Sequence, residues 1–413
     1  MELIRVIENT EYCQQRLGFL KYIVAKCASY GTSSLSTIGN DLLAAVSQKV
    51  SVPLDKSIQE YITQKRNYES VRTRNNIQKD DNIVLELQDV YLSDERIPSK
   101  TGKLLSYAWE KYPYLAISLG LIRKTSYSLL GKGQVLITLT DKNELLAFKS
   151  YLPESNPLII NDKQRLIFLF LLLCYDGDVI RLLYNKALKM EEFTNRSLGD
   201  YLSEIYLQLA RTSRPKVRSG DDIEKVQRLI DKAKILERWK GKPDTGSRTA
   251  RNKAIIVRIE PYVDLGLVKK KNPFEFRYRV SDSGITFFSE FKKSDDIEKF
   301  LYNSFFEVCN MAFGHKAEKI LETHKLLPLF YESYNTLKSP LGYASIEDML
   351  LLSGIKAITE KRIYFEIAEG INLLKKIQKE KHEVINFNID RMGNLTYIKL
   401  ANGFVNSVKD ERL

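Results

Sequence analysis

Basic side chains are concentrated in one segment of the chain, residues 211–279. This segment holds 20 Lys or Arg against 9 Asp or Glu, whereas the whole 413-residue chain carries a net charge of +12. The remaining residues together are therefore close to neutral. Lysine and arginine attract polyanions, because each phosphate that they neutralise releases condensed counterions. The segment predicts a surface that binds double-stranded DNA, the alternative being an ordinary solvated surface.

The candidate DNA contacts in this segment form three groups. A flexible basic arm contains Arg214, Lys216 and Arg218; a helix that Ser247 would cap contains Arg248, Thr249, Arg251, Asn252 and Lys253; a later loop and strand contain Lys269, Lys270, Lys271 and Arg277. Arg pairs with guanine and Asn with adenine in the major groove, so Arg251 and Asn252 suit base readout. Lys and Thr suit phosphate contacts.

A pattern that occurs twice indicates the elements that position these residues. Residues 119–124 read LGLIRK and are followed by VLITLTD at 135–141, while residues 265–270 read LGLVKK and are followed by FRYRVSD at 276–282. A glycine commonly ends a helix, and a short apolar strand, a polar turn and a returning strand would follow it. We predict a helix and then a strand-turn-strand wing over 119–141 and over 265–282, with Lys132 in the first wing.

This repeated pattern resembles the end of bacterial winged helix-turn-helix domains. The resemblance implies that the helix before each glycine is a recognition helix and that the turn is a wing. In the second copy Ile255, Ile259 and Tyr262 would share the core-facing side of that helix, and Pro261 would kink or end it. The expected fold is mainly α with small β-hairpins (α+β), built from tandem winged-helix units between helical N- and C-terminal regions.

Four domains are expected along the chain. Residues 1–95 form a helical N-terminal domain, either with a helix-turn-helix or as a plain bundle; residues 96–155 form the first winged-helix unit; residues 156–293 form the basic second unit; residues 294–413 form a helical domain that ends in a β-hairpin near 384–398. Residues 301–413 contain 15 basic and 14 acidic residues. This balance favours docking of a protein partner or self-association there over DNA binding.

No complete catalytic, metal or cofactor site is visible in the sequence. Phosphate-binding loops, G-x-S-x-G and H-E-x-x-H are missing, the four cysteines are dispersed, and His315, His324 and His382 are interpreted as solvent-facing. A metal-dependent nuclease is the alternative, but the acidic pattern at 81–88 ends in Gln and Glu290-Phe-Lys292 lacks a good upstream acid. A third alternative is a scaffold whose winged helices bind proteins.

The longest apolar run, LIFLFLLLCY at residues 166–175, is too short for a membrane span, which needs about 20 residues. It predicts a buried core helix instead. The acidic N-terminal residues do not resemble a signal peptide, so a cytoplasmic protein is expected. The function most consistent with these features is duplex DNA binding, as a regulator or as the recognition component of a bacterial defence or restriction-type system.

Overall fold

The computed structural model describes residues 4–7, 17–30, 114–141, 160–241, 254–271, 277–390, 395–402 and 404. This part of the chain is mainly helical with a few small groups of strands, as expected for the α+β class. The helices are α1 Leu17–Tyr30, α2 Gly131–Thr138, α3 Asp162–Ala187, α4 Asn195–Gly199, α5 Leu202–Ser213, α6 Gly220–Glu237, α7 Glu260–Asp264, α8 Asp282–Phe291, α9 Ile297–Asn303, α10 Phe305–Phe313, α11 Thr323–Leu337, α12 Ile346–Lys356 and α13 Ile367–Glu380. The strands are β1 Phe193–Thr194, β2 Val268–Lys270, β3 Arg277–Val280, β4 Glu318–Lys319, β5 Ala344–Ser345, β6 Ile363–Tyr364, β7 Ile385–Ile389 and β8 Leu395–Leu400.

Helix α3 lies at the centre of the core. Asn161 begins the helix with a capping box, in which its side chain accepts the Gln164 N–H and the Gln164 side chain accepts the Asn161 N–H. The apolar run that follows is buried, and α5, α8, α9 and α12 pack against the helix. The predicted core helix is confirmed. Within the part of the chain that the structure describes, no helix is long and apolar enough to cross a membrane.

A buried ion pair joins two distant segments to α3. Arg258 is 0% exposed and donates from Nε and Nη2 to the two carboxylate oxygens of Asp176, at 2.7 and 2.9 Å. The backbone N–H of Ile7 donates to the same carboxylate, and Arg258 donates in return to the carbonyl oxygens of Ile7 and Ala254. Because each charge is bonded on several sides, the pair fixes the N-terminal residues 4–7 against α3 and residues 254–258.

The second copy of the repeated pattern forms the predicted hairpin. Strands β2 and β3 pair antiparallel, and the Ser281 side chain caps α8 by accepting the Gly284 N–H at 3.0 Å. The prediction for the first copy is wrong in its second half. Residues 135–138 belong to helix α2, which begins at Gly131, so Lys132 lies on a helix rather than in a wing. Lys132 makes ion pairs with Glu347 and Asp348 at the start of α12.

The two copies are nevertheless equivalent when the returning strand β3 of the second copy is compared with Leu129 and Leu130 of the first, rather than with residues 135–141. Gly120 and Gly266 both have positive φ, +62° and +74°, and end a helical turn in the left-handed conformation. A bridge between Ile122 and Leu129 then matches the pairing of Val268 with Val280. The two copies also share two backbone hydrogen bonds. In the first copy Leu121 N–H donates to the Ala116 carbonyl and Leu130 N–H donates to the Leu121 carbonyl. In the second copy Leu267 N–H donates to the Tyr262 carbonyl and Ser281 N–H donates to the Leu267 carbonyl. The repeat is therefore structural, with α2 equivalent to α8.

Two three-stranded sheets share one topology. Their strand orders are β1-β3-β2 and β5-β8-β7. In each sheet a two-residue strand ends in a residue whose side chain caps the next helix, Thr194 for α4 and Ser345 for α12. That short strand pairs with the second strand of a later hairpin. The hairpin predicted near 384–398 is confirmed as β7 and β8.

Aromatic contacts continue the core across the predicted boundary between residues 293 and 294. The rings of Phe291 and Phe300 lie 4.8 Å apart, and those of Phe170 and Phe305 lie 5.2 Å apart. Apart from Ile256, the buried apolar residues that the structure describes form a single cluster. The four-domain division stays a prediction, and much of 1–95 and 96–155 lies outside the described residues.

Glu366 gives the fold an expected pH dependence. This residue is 1% exposed, and its carboxylate accepts the N–H groups of Phe306 and Glu307 at the start of α10, at 3.2 and 2.8 Å. Burial raises the pKa of Glu366 to about 7, although the two hydrogen bonds act in the opposite direction and lower it. Because the folded-state pKa lies above the ordinary value, this group stabilises the fold at low pH and loses that contribution as pH rises towards 7.

We expect the difference in unfolding free energy between the parent chain and Glu366→Gln to change by about 2 kcal/mol between pH 5 and pH 8, the parent losing stability relative to the variant. Urea unfolding at the two pH values measures this, and the exposed Glu380→Gln serves as the control. Parallel pH profiles for the parent and Glu366→Gln would show that Glu366 titrates normally.

Candidate nucleic-acid interface

One face of the β2–β3 hairpin is cationic. Side chains alternate between the two faces of a strand, and the exposed positions that the structure describes at 268–271 and 277–280 all carry a positive charge. We call this surface the outer hairpin face; its residues are Lys269, Lys271, Arg277 and Arg279. The opposite face packs Val268, Tyr278 and Phe193 into the core. Three of the four cations are among the predicted DNA contacts, and the strand alternation adds Arg279.

Like charges stand opposite each other on the outer hairpin face. Lys269 pairs directly with Arg279 in the strand register, and the Lys271 N–H donates to the Arg277 carbonyl, which places these two residues opposite as well. Lys271 is relieved by an ion pair with Glu192 at 3.1 Å. Among the described residues, neither Lys269 nor Arg279 has an ion-pair or hydrogen-bond partner for its side chain. Directly opposed like charges destabilise a hairpin, so the fold itself gains nothing from this pair.

Lys270 occupies a different position from its neighbours. Its ammonium group lies on the inner side of the hairpin, 2.7 Å from the carboxylate of Glu260, which is 0% exposed and also accepts the Tyr278 hydroxyl at 2.7 Å. Lys270 was predicted to contact DNA with Lys269 and Lys271. In the structure it neutralises a buried carboxylate, and strand alternation separates it from the outer hairpin face.

We expect Lys270→Ala to lower the free energy of unfolding by about 3 kcal/mol, because it leaves the Glu260 carboxylate buried without its cation. Lys269→Ala is the matched control in the adjacent position, and it should change stability by about 0.5 kcal/mol or less. Chemical denaturation of the two variants measures the difference. Equal stabilities would show that the Glu260 pair contributes little.

The predicted basic arm is an ordered turn. Residues Arg214–Lys216 form one turn of 3-10 helix between α5 and α6, so the expectation of a flexible segment is wrong. Arg214, Lys216 and Arg218 are all exposed. The last two line a cleft of about 660 Å³, which also contains five acidic residues: Asp178, Asp222, Asp295, Asp296 and Glu298. The electrostatic character of this cleft is therefore mixed, in contrast to the outer hairpin face.

The base-reading part of the predicted recognition helix lies outside the residues that the structure describes: Arg248, Thr249, Arg251, Asn252 and Lys253. Its continuation, residues 254–262, is buried on every side. Ile255, Ile259 and Tyr262 face the core as predicted. The helix is interrupted at 257–259, and Pro261 stands in the first turn of α7 rather than ending a long helix.

The chain enters residues 242–253 from a defined point. Arg196 of α4 donates to the carbonyl oxygen of Gly241 at 2.6 Å, and Asp200 accepts the Gly241 N–H at 3.4 Å. These contacts hold the end of α6 against α4. No local sequence pattern indicates this contact of Arg196, because its partner is a backbone atom 45 residues away.

The described residues contain no cluster of three or more His, Cys, Asp or Glu side chains that could hold a metal ion. Glu290 pairs with Lys293 at 2.6 Å, and the acidic pattern at 81–88 lies outside the described residues. Of the three histidines, His324 and His382 are exposed as predicted, whereas His315 is half-buried and burial lowers its pKa.

No protein-family model matches this chain, and no curated protein or solved structure is significantly similar to it. The function is therefore inferred from the surfaces described above.

Proposed function

We propose that this protein binds double-stranded DNA through the outer hairpin face, as a regulator or as the recognition component of a bacterial defence or restriction-type system. The observation that carries the proposal is the pair Lys269 and Arg279, which face each other across the hairpin without an acidic partner among the described residues. A phosphate lying over both side chains would relieve their repulsion. The released counterions would add to the gain in free energy.

The arrangement of helices and sheet supports a winged-helix unit as the finer description of this region. Helices α3 to α7 come before the β2–β3 hairpin, whose return strand β3 also pairs with the earlier strand β1. In this reading the hairpin is the wing, and its outer face contacts the DNA backbone. Residues 248–253 would supply base contacts from the helix before the hairpin, as Arg and Asn do in the major groove.

The test is a titration of fluorescently labelled duplex DNA with the full chain at two salt concentrations. For about four phosphate contacts, a fourfold rise in salt should weaken binding about 100-fold. Absence of binding at low salt would overturn the proposal and favour the scaffold alternative, in which the basic surface meets an acidic protein. Incubating the complex with Mg²⁺ or Mn²⁺ addresses the nuclease alternative; we expect the DNA to remain intact, and cleavage would assign a catalytic function.

A further inference from the structure

Helix α13 carries a polar stripe on its solvent side. Four exposed residues lie at the spacing i, i+3, i+4 and i+7, which places them on one face of the helix. We call them the lysine stripe: Asn372, Lys375, Lys376 and Lys379. The opposite face, with Ile367, Gly370, Leu374 and Ile377, is buried. At 1.5 Å per residue the stripe is about 10 Å long.

The acidic residues of this region are held away from the stripe or at its end. Glu366 is buried and caps α10, and Glu369 pairs with Lys319 at 2.8 Å. Glu380, at the end of the helix, lies 4.0 Å from Lys376. Lys375 and Lys379 have no acidic partner among the described residues. The near-equal count of acidic and basic residues in 301–413 therefore conceals a local separation of charge, and it does not argue against a polyanion at this surface.

We propose that the lysine stripe is a second contact surface for duplex DNA, an inference that rests on the proposed function. Helix α13 comes directly before the β7–β8 hairpin. The sheet that contains this hairpin has the same strand order as the sheet that carries the outer hairpin face. A helix fits the major groove, where the three lysines contact phosphates and Asn372 reaches base edges. The exposed residues of β7 and β8 include the polar side chains of Asn386, Asn388 and Lys399 beside those of Ile389 and Tyr397.

The inference is tested with Lys375→Ala, Lys376→Ala and Lys379→Ala combined. Alanine favours helix, so α13 should persist, and circular dichroism checks this. We expect duplex affinity to fall at least about tenfold. The slope of log affinity against log salt should become shallower by about two to three, because two to three phosphate contacts are lost. The matched control replaces Lys316, Lys325 and Lys338 by Ala; these exposed lysines lie before β4 and at the two ends of α11, away from α13, and their loss removes the same charge.

Mass-spectrometric mapping of lysine acetylation gives a second readout on the parent chain. Duplex DNA should protect Lys375, Lys376 and Lys379 and leave the three control lysines reactive. The inference is wrong, while the proposed function stands, if the stripe variant binds DNA like the control and the stripe lysines of the parent chain stay reactive when DNA is bound. If the parent chain does not bind duplex DNA at all, the proposed function itself fails, and the two failures are thereby distinguished.

Discussion

Replacing Lys269 and Arg279 together by Glu is expected to lower duplex affinity by about 100-fold or more at low salt, because two phosphate contacts become repulsive. The variant should fold normally, since it exchanges one like-charged cross-strand pair for another. Lys269→Glu alone is more informative. It creates an opposite-charge pair with Arg279, so we expect the hairpin to become more stable by about 0.5 kcal/mol while DNA binding weakens. Fluorescence anisotropy and thermal unfolding measure the two effects.

The control for these variants is Lys325→Glu with Lys338→Glu, which changes the net charge equally at two ends of α11. This control should retain most of the affinity. If it loses as much as the outer hairpin variant, only net charge matters, and the hairpin is not the contact surface. A Lys269→Glu variant that gains stability and binds DNA as tightly as the parent would contradict the proposal in the same way.

The second large effect concerns stability. Arg258→Ala is expected to lower the free energy of unfolding by about 3–5 kcal/mol, because Asp176 would remain buried without its cation. The loss should extend to the N-terminal residues 4–7, since Ile7 is bonded to both members of the pair. Combining Arg258→Met with Asp176→Leu should recover part of this lost stability, since no uncompensated charge would then be buried.

Denaturant unfolding of Arg258→Ala and of the double variant measures this prediction, and hydrogen exchange at Ile7 reports the N-terminal segment. Arg238→Ala, at an exposed position after α6, is the control and should change stability by about 0.5 kcal/mol or less. An Arg258→Ala protein as stable as the parent would show that Asp176 is neutral in the folded state and that the ion pair is not formed.

Local patterns in the sequence predicted the elements that local interactions determine. The core helix α3 and the two hairpins β2–β3 and β7–β8 are formed as expected. Each of these is encoded within a few residues, by burial period, capping side chain or turn. The fold class follows from the same elements.

Elements that depend on distant contacts could not be predicted in this way. Residues 135–139 are rich in apolar and β-branched side chains and resemble a strand, yet α2 is a helix. It packs against α1, α11 and α12, and Lys132 joins it to Glu347 and Asp348, more than 200 residues away. Tertiary contacts of this kind override local propensity.

The candidate site shows the same division. Three consecutive lysines at 269–271 suggest one contact surface in the sequence, but strand alternation sends Lys270 to the buried Glu260. That partner is ten residues earlier, next to Pro261, where the recognition helix was expected to kink or end. The lysine stripe of α13 was overlooked because net charge was counted along the chain rather than around the helix.

The most direct test of DNA binding at the outer hairpin face is the salt dependence of duplex affinity for the parent chain and for Lys269→Ala with Arg279→Ala. Plotted as logarithms, the affinity of the parent should fall linearly with salt concentration. The slope of the double variant should be shallower by about two, because two fewer phosphates are neutralised. Identical slopes and affinities for the two proteins would contradict DNA binding at the outer hairpin face.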